Sequence, residues 1–180
     1  MLSRLQKRKM TRLFNLFDID KNGVIERADY EAIMQNFAQI RDWQKGSASY
    51  NLLHNSFMRL WDNMQQELDK NDDNQVTLQE FLSDRDHVLH DVSRYETRIQ
   101  VGQLLFAMFD RDGDGEGTIE ELRLFYKALQ IDESLAEEVF SKLDFNGDGY
   151  ISEEEFLKIG YDFHYSDDPD APANWLFGPF

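Results

Sequence analysis

Residues 110–121, which read Asp-Arg-Asp-Gly-Asp-Gly-Glu-Gly-Thr-Ile-Glu-Glu, decide the fold. Carboxylates stand at the first, third, fifth and twelfth positions of this stretch, and a glycine stands at the sixth. Acidic side chains crowded in this way repel one another, so the pattern indicates a missing cation. Glycine at the sixth position permits the positive-φ turn that wraps a chain around an ion. The segment therefore predicts a loop that binds a divalent metal.

The same twelve-residue pattern occurs four times, in loop 1 (18–29), loop 2 (69–80), loop 3 (110–121) and loop 4 (144–155). These loops contain 19 of the 35 aspartates and glutamates, unlike a surface on which charges are evenly spread. The spacing is that of the EF-hand calcium loop, in which positions 1, 3, 5 and 12 provide side-chain oxygens and position 7 provides a backbone carbonyl. The predicted ligands are Asp18, Asp20, Asn22, Val24 and Asp29 in loop 1, Asp69, Asn71, Asp73, Gln75 and Glu80 in loop 2, Asp110, Asp112, Asp114, Glu116 and Glu121 in loop 3, and Asp144, Asn146, Asp148, Tyr150 and Glu155 in loop 4.

Apolar residues with helical spacing flank the loops. Leu13, Phe14 and Phe17 precede loop 1 at this spacing, and loops 3 and 4 are preceded by the same arrangement. Such spacing places one apolar stripe on each helix. We therefore predict an all-α fold in which two pairs of helix–loop–helix EF-hands pack into one compact globule. The pairs are expected at 1–90 and 91–165, and an aromatic C-terminal tail at 166–180 is expected to pack on the core.

Capping boxes predict where several helices begin, because the serine or threonine and the glutamate three residues later satisfy each other's backbone N–H groups. Boxes of this kind at position 9 of a loop are Thr77/Glu80, Thr118/Glu121 and Ser152/Glu155. Two further boxes, Ser93/Glu96 and Ser134/Glu137, predict the starts of the helices that lead to loops 3 and 4.

The four loops are not equivalent. In loop 1, Asp29 replaces the usual glutamate at position 12 and is one methylene shorter. A carboxylate that does not reach for bidentate contact favours the six-coordinate geometry of magnesium, so we predict a mixed Ca²⁺/Mg²⁺ site there. Loop 2 has Asn74 where glycine is expected, so the prediction is three or four bound calcium ions. In loop 3, Gly117 at position 8 is expected to weaken the contact with Ile151 of loop 4.

The composition argues against several classes of protein. Nineteen basic and 35 acidic residues give a formal net charge of −16, which argues against binding to nucleic acid or to an anionic membrane. Cysteine is absent, which excludes disulfides and thiolate metal sites. The first twelve residues carry five basic side chains and no apolar run, so we expect a cytoplasmic protein without a secretory signal. We also expect a monomer.

No enzymatic function is expected from the remaining motifs. The glycine-rich stretch 113–117 carries carboxylates that would repel a phosphate. His87 and His90 stand three residues apart on a predicted helix, and surface residues are the preferred interpretation over metal ligands. A basic group near the N-terminus is interpreted as the solvated face of the first helix, with a partner or membrane contact as the alternative; it comprises Arg4, Lys7, Arg8, Lys9 and Arg12.

The arrangement of the loops resembles that of the sarcoplasmic calcium-binding proteins and, most closely, their bacterial calerythrin-like relatives. The first interval between loops is the longest and is broken at 46–49, Gly-Ser-Ala-Ser. The segment 161–165, Tyr-Asp-Phe-His-Tyr, followed by a tail marked by aspartate and proline, is similar to the C-terminus of that group. This resemblance implies one compact all-α body and a role in calcium and magnesium buffering.

Buffer, sensor and small-molecule carrier remain as alternative functions. A sensor opens an apolar groove for a protein partner, and methionine-rich linings suit that purpose, but the six methionines here are scattered. The tail ends in three aromatic residues, Trp175, Phe177 and Phe180, which we expect to fold back into the protein's own groove. We therefore favour an intracellular buffer over a sensor. Photoproteins and luciferin-binding proteins share this general fold, and His164, Tyr165 and Trp175 are candidates to line a cavity in that third case.

Overall fold

The computed structural model describes residues 1–88 and 95–179, without the side chains of 87, 88 and 95–98. The predicted boundary at 90/91, the box Ser93/Glu96, the pair His87/His90 and the terminal Phe180 therefore lie wholly or partly outside the described residues. The described part of the chain is mostly helical, so the predicted all-α class is confirmed. The α-helices are α1 (Arg4–Phe17), α2 (Arg27–Ile40), α3 (Ala48–Leu68), α4 (Leu78–Val88), α5 (Tyr95–Phe109), α6 (Ile119–Ala128), α7 (Ala136–Leu143) and α8 (Glu153–Tyr165).

Two short antiparallel strand pairs join the loops in twos. Strand β1 (Val24–Ile25) of loop 1 pairs with β2 (Val76–Thr77) of loop 2, with Ile25 opposite Val76. Strand β3 (Glu116–Gly117) of loop 3 pairs with β4 (Ile151–Ser152) of loop 4, with Gly117 opposite Ile151. Since the strands lie at positions 7–8 of loops 1 and 3 and at positions 8–9 of loops 2 and 4, the two loops of each pair are held back to back by their own backbones.

Helix starts follow the capping chemistry at the loops. Thr118 and Ser152 each accept a hydrogen bond from the backbone N–H of the glutamate three residues later, and that glutamate binds back to the capping residue. The predicted box Ser134/Glu137 is wrong. The side chain of Asp132 instead caps a 3₁₀ turn at Glu133–Leu135 that precedes α7, while Arg123 of α6 binds the carboxylate of Glu137 at 2.6 Å.

One apolar core runs through all the helices of the described chain. Its centre is a set of phenylalanine rings whose centroids lie 5.6 to 6.3 Å apart; the set comprises Phe106, Phe109, Phe125 and Phe156. Phe37 of α2 contacts this set through Phe125, with 5.7 Å between the ring centroids. The two pairs of EF-hands thus share their core, as a compact globule requires.

The C-terminal tail lies against α7 and α8 through a 3₁₀ turn at Pro172–Trp175. Leu176 and Phe177, which follow this turn, expose only 3% and 4% of their surface. The ring of Phe177 packs edge-on against Phe163 of α8, with 5.1 Å between the centroids. The hydroxyl of Tyr126 on α6 donates to the carbonyl oxygen of Leu176 at 3.1 Å. The tail is therefore part of the folded body.

Two of the basic residues of α1 bind this tail rather than solvent. Lys9 is fully buried, and its Nζ donates to the carbonyl oxygen of Ser166 at 2.6 Å. Arg12 donates from Nε and Nη2 to the carbonyl oxygen of Phe177, at 3.0 and 2.8 Å. The expectation of a wholly solvated basic face is wrong for these two residues, because buried tail carbonyls need donors and α1 provides them.

Candidate metal centres

The aspartate at position 1 shapes each loop in the same way. One of its carboxylate oxygens accepts the backbone N–H of position 6 at 2.9 to 3.0 Å in all four loops; the donors are Gly23, Asn74, Gly115 and Gly149. The second oxygen accepts an N–H from position 4 or 5. Each loop is consequently wrapped around its own first side chain.

Positions 3, 5 and 7 continue this wrapping. The N–H of position 5 donates to the side-chain oxygen of position 3 at 2.8 to 3.3 Å in every loop. The N–H of position 7 donates to the side-chain oxygen of position 5 at 2.9 to 3.0 Å. These bonds hold the side-chain oxygens of positions 3 and 5 close to the backbone of their own loop.

The resulting oxygen clusters have the size of a calcium site. Carboxylate oxygens of Asp18, Asp20 and Asp29 lie within 4.8 Å of one another in loop 1. The same holds in loop 3 for three aspartates, Asp110, Asp112 and Asp114. Oxygens that each lie 2.3 to 2.6 Å from one calcium ion are at most about 5 Å apart, so the clusters fit the ion. A divalent ion there would relieve the repulsion between these carboxylates.

Comparison with known proteins agrees with this geometry. The model of the EF-hand domain pair matches residues 100–159, and an EF-hand model matches residues 11–34. Calerythrin of Saccharopolyspora erythraea is 29% identical over 165 residues, which cover 90% of each chain. The luciferin-binding protein of Renilla reniformis is 28% identical over 175 residues, covering 95% of this chain and 92% of the relative. A sarcoplasmic calcium-binding protein from amphioxus shares the fold over the whole of both chains, with a TM-score of 0.80 at 23% identity.

The chain therefore contains EF-hand calcium-binding units, is similar to calerythrin over most of its length, and shares the fold of a sarcoplasmic calcium-binding protein. The predicted resemblance is thereby confirmed. None of the helices in the described ranges combines the length and apolar character needed to cross a membrane.

The short Asp29 of this EF-hand protein reaches across its loop. Its Oδ1 accepts the N–H of Ile19 at 3.0 Å, and its Oδ2 accepts the N–H of Glu26 at 2.8 Å. In loop 3 the longer Glu121 makes the two equivalent contacts, with Arg111 at 2.7 Å and Thr118 at 2.9 Å. Asp29 in loop 1 therefore accepts the same two backbone hydrogen bonds as Glu121 in loop 3, although its side chain is one methylene shorter. Burial raises the pKa of Asp29 above its ordinary value, against the hydrogen bonds from Glu26 and Ile19 that lower it.

Loop 2 adopts the same shape without glycine at position 6. Asn74 takes a φ of +65°, and its side-chain oxygen accepts a hydrogen bond from Gln65 Nε2 at 2.8 Å. At position 12, burial tends to raise the pKa of Glu80, but hydrogen bonds from Thr77 and Lys70 outweigh it and the pKa is lowered. The position-12 carboxylate of loop 2 is therefore held as an anion by its own loop.

Position 4 is a second left-handed position that sequence reasoning missed. Lys21 and Asp72 occupy it with φ of 61° and 57°, and glycines occupy it in loops 3 and 4. The glycines at position 4 of loops 3 and 4 were the sequence feature that could have predicted this left-handed conformation.

The rings of the three residues considered for a small-molecule cavity each pack against a different side chain. His164 lies against Phe163 at 5.5 Å, and Tyr165 stacks on Tyr161 at 4.4 Å between centroids. Trp175 lies under the ammonium group of Lys142, 4.4 Å from its ring centroid. These contacts give each of the three rings a packing role.

A cation outside the loops also belongs to this site, and the sequence carried no signal for it. Arg41, directly after α2, donates to the carbonyl oxygens of Asp110 and Arg111, the first two residues of loop 3. The two arginine contacts bridge about seventy residues of sequence.

Proposed function

We propose that this protein is a cytoplasmic, monomeric and non-enzymatic buffer of calcium and magnesium that stays closed when it binds ions. The observation that carries the proposal is the burial of Leu176 and Phe177 against the C-terminal pair of EF-hands. A sensor needs an apolar groove that a partner helix can enter. Here the protein's own tail lies on apolar surface of that pair.

The tail is anchored by polar contacts as well as by apolar ones. Tyr126, Lys9 and Arg12 donate to three different tail carbonyls, and two of these donors are on α1 of the first EF-hand. Both halves of the molecule therefore hold the tail, and its release would leave buried donors without acceptors, which is costly. This arrangement favours a permanently closed form.

The twenty residues predicted at positions 1, 3, 5, 7 and 12 are our proposed ligand set. We propose calcium binding at loops 2, 3 and 4 and mixed Ca²⁺/Mg²⁺ binding at loop 1, where position 12 is an aspartate. The shared hydrogen bonds to the position-1 aspartates support an equal backbone shape in all four loops. Four divalent ions would bring the formal charge from −16 to −8, so ion binding would favour folding.

The alternative is a calcium sensor whose tail is released to expose its groove to a protein partner. The feature that favours it is the tail's short 3₁₀ turn, which is a small element to displace. The two functions differ in whether calcium opens the apolar surface.

Fluorescence of a hydrophobic dye separates them. The full chain is placed in millimolar magnesium and calcium is then added, and a variant lacking residues 171–180 serves as the positive control for an open groove. We expect a flat signal from the full chain and a strong signal from the truncated variant. A calcium-specific rise in the full chain would replace the buffer proposal with the sensor.

A further inference from the structure

A side chain from the first EF-hand holds the backbone of the third. Arg41 donates from Nη1 to the carbonyl oxygen of Arg111 at 3.2 Å, and from Nη2 to that of Asp110 at 2.8 Å. Its Nη2 also donates to the carbonyl oxygen of Ala107, in the last turn of α5. Carbonyls at the C-terminal end of a helix lack intrahelical donors and attract positive charge. Arg41 therefore ties the end of α5 to the first two positions of loop 3.

The guanidinium group is itself held in place. The backbone N–H of Trp43 donates to the carbonyl oxygen of Ala38 at 2.9 Å and closes the end of α2. The guanidinium carbon of Arg41 lies 5.1 Å from the ring centroid of Trp43. Packing on one face and three carbonyl acceptors at its edge leave the Arg41 side chain little freedom. A movement of α2 would therefore shift the backbone of loop 3.

The opposite end of α2 carries a proposed metal ligand. Asp29, position 12 of loop 1, is in the first turn of α2 and is 2% exposed. Along the helix, Asn36 Nδ2 donates to the carbonyl oxygen of Ala128 at 2.9 Å, at the end of α6. The ring of Phe37 packs on Phe125, also on α6. Helix α2 contacts α6, and Arg41 directly after it contacts α5, so both helices that flank loop 3 are reached while the first turn of α2 belongs to loop 1.

We propose that α2 couples ion binding at loop 1 to ion binding at loop 3, with Arg41 as the positioning residue. The proposal rests on the ligand sets proposed above for these two loops. An ion at loop 1 fixes Asp29 and hence the orientation of α2, and Arg41 transmits that orientation to positions 1 and 2 of loop 3. Because coupling of binding free energies is reciprocal, an ion at loop 3 favours loop 1 by the same factor.

Two amide protons allow ion binding at loop 1 and at loop 3 to be measured separately. The N–H groups of Gly23 and Gly115 donate to the position-1 carboxylates Asp18 and Asp110, each at 3.0 Å. An ion on either carboxylate changes the environment of the corresponding proton, so nuclear magnetic resonance during a chelator-buffered calcium titration gives an affinity for each loop. Asp20→Ala removes an exposed carboxylate from loop 1 without altering α2.

The test compares the effect of Asp20→Ala on loop 3 in different backgrounds. In the otherwise unchanged chain we expect it to weaken calcium binding at loop 3 by about fivefold or more. In the Arg41→Gln background the same substitution is expected to leave loop 3 unchanged. Arg111→Gln, which removes an exposed positive charge from loop 3 itself, is the matched control and should preserve the fivefold effect. Arg41→Lys keeps the positive charge but lacks the planar guanidinium group that binds several carbonyls at once. It should therefore reduce the coupling although the side chain at position 41 is still a cation.

Two results would overturn the coupling. One is an equal effect of Asp20→Ala with and without Arg41, and the other is no effect on loop 3 in the unchanged chain. If the Gly115 signal of the unchanged chain ignored calcium altogether, the ligand set of loop 3 would be wrong instead, so failure of the coupling and failure of the proposed function are distinguishable.

Discussion

The ring of Phe109 occupies the space in which a side chain at Gly117 would lie. A Cβ atom built on Gly117 would be 2.1 Å from Cε1 of Phe109 and 2.3 Å from its Cζ. Phe109 is fully buried and contacts Phe106, Phe125 and Phe156. The glycine at position 8 of loop 3 is therefore required by the core, and its strand pairing with Ile151 is retained.

A side chain at position 8, which many calcium loops carry, should be harmful here. We expect Gly117→Ala to lower the free energy of unfolding by about 1–3 kcal/mol, the usual cost of overpacking a core. Urea denaturation in calcium measures it. Gly160→Ala is the control: Gly160 lies within α8 with open space around its Cβ position, so alanine should stabilise the protein by roughly 0.5–1 kcal/mol. Equal effects at both sites would refute the role of Phe109.

Lengthening the position-12 ligand of loop 1 should change its ion preference. Asp29→Glu supplies the methylene that bidentate contact with calcium needs, so the ratio of calcium to magnesium affinity at loop 1 should rise on the order of tenfold, about 1.4 kcal/mol. The Gly23 amide signal in parallel calcium and magnesium titrations measures this ratio. The Gly115 signal serves as the internal control for loop 3. An unchanged ratio at Gly23 would show that ligand length does not set the preference.

Much of the site is predictable because each calcium loop is made by contacts within twelve residues. The position-1 aspartate and the capping glutamate at position 12 of loops 2, 3 and 4 are read directly from the spacing. Contacts between distant parts of the chain are not predictable in this way. Arg41 and Lys9 bind backbone carbonyls about 70 and 157 residues away, and a carbonyl acceptor leaves no mark in the sequence. The close approach of the Phe109 ring to Gly117 is not visible in the sequence either, although the two residues are near neighbours along the chain, because it depends on how that ring packs in the core.

The buried Lys9 should make stability depend on pH. Burial lowers its pKa below the usual 10.5, although Asp167 and Asp162 raise it. The folded state then binds this proton less well than the unfolded state, so its contribution to stability rises as the pH approaches 10.5. We expect unfolding measurements between about pH 8 and pH 10 to show this rise in the unchanged chain and to lose it in Lys9→Met. Lys7→Met, at an exposed position of the same helix, should leave the dependence intact. Parallel curves for all three proteins would contradict a perturbed Lys9.

Removing divalent ions should loosen the fold. A site saturated at one hundred times its dissociation constant contributes about 2.7 kcal/mol, and for a chain of this size each kcal/mol shifts the melting temperature by roughly 2–4 °C. Excess chelator should therefore lower the melting temperature by about 5–10 °C for each site that had been filled. Calorimetry with calcium, with magnesium and with chelator measures the shifts. Identical melting temperatures with calcium and with chelator would contradict the link between ion binding and folding.

Hydrogen exchange in the tail tests the central claim, a buffer that remains closed, most directly. The amides of Leu176 and Gly178 donate to the carbonyl oxygens of Ala173 and Trp175 at 3.1 and 2.8 Å, so they are protected only while the tail is docked. Their exchange rates should be the same in magnesium and in calcium. Faster exchange of these two amides after calcium is added, while the core amides stay protected, would show that calcium releases the tail and that the protein is a sensor.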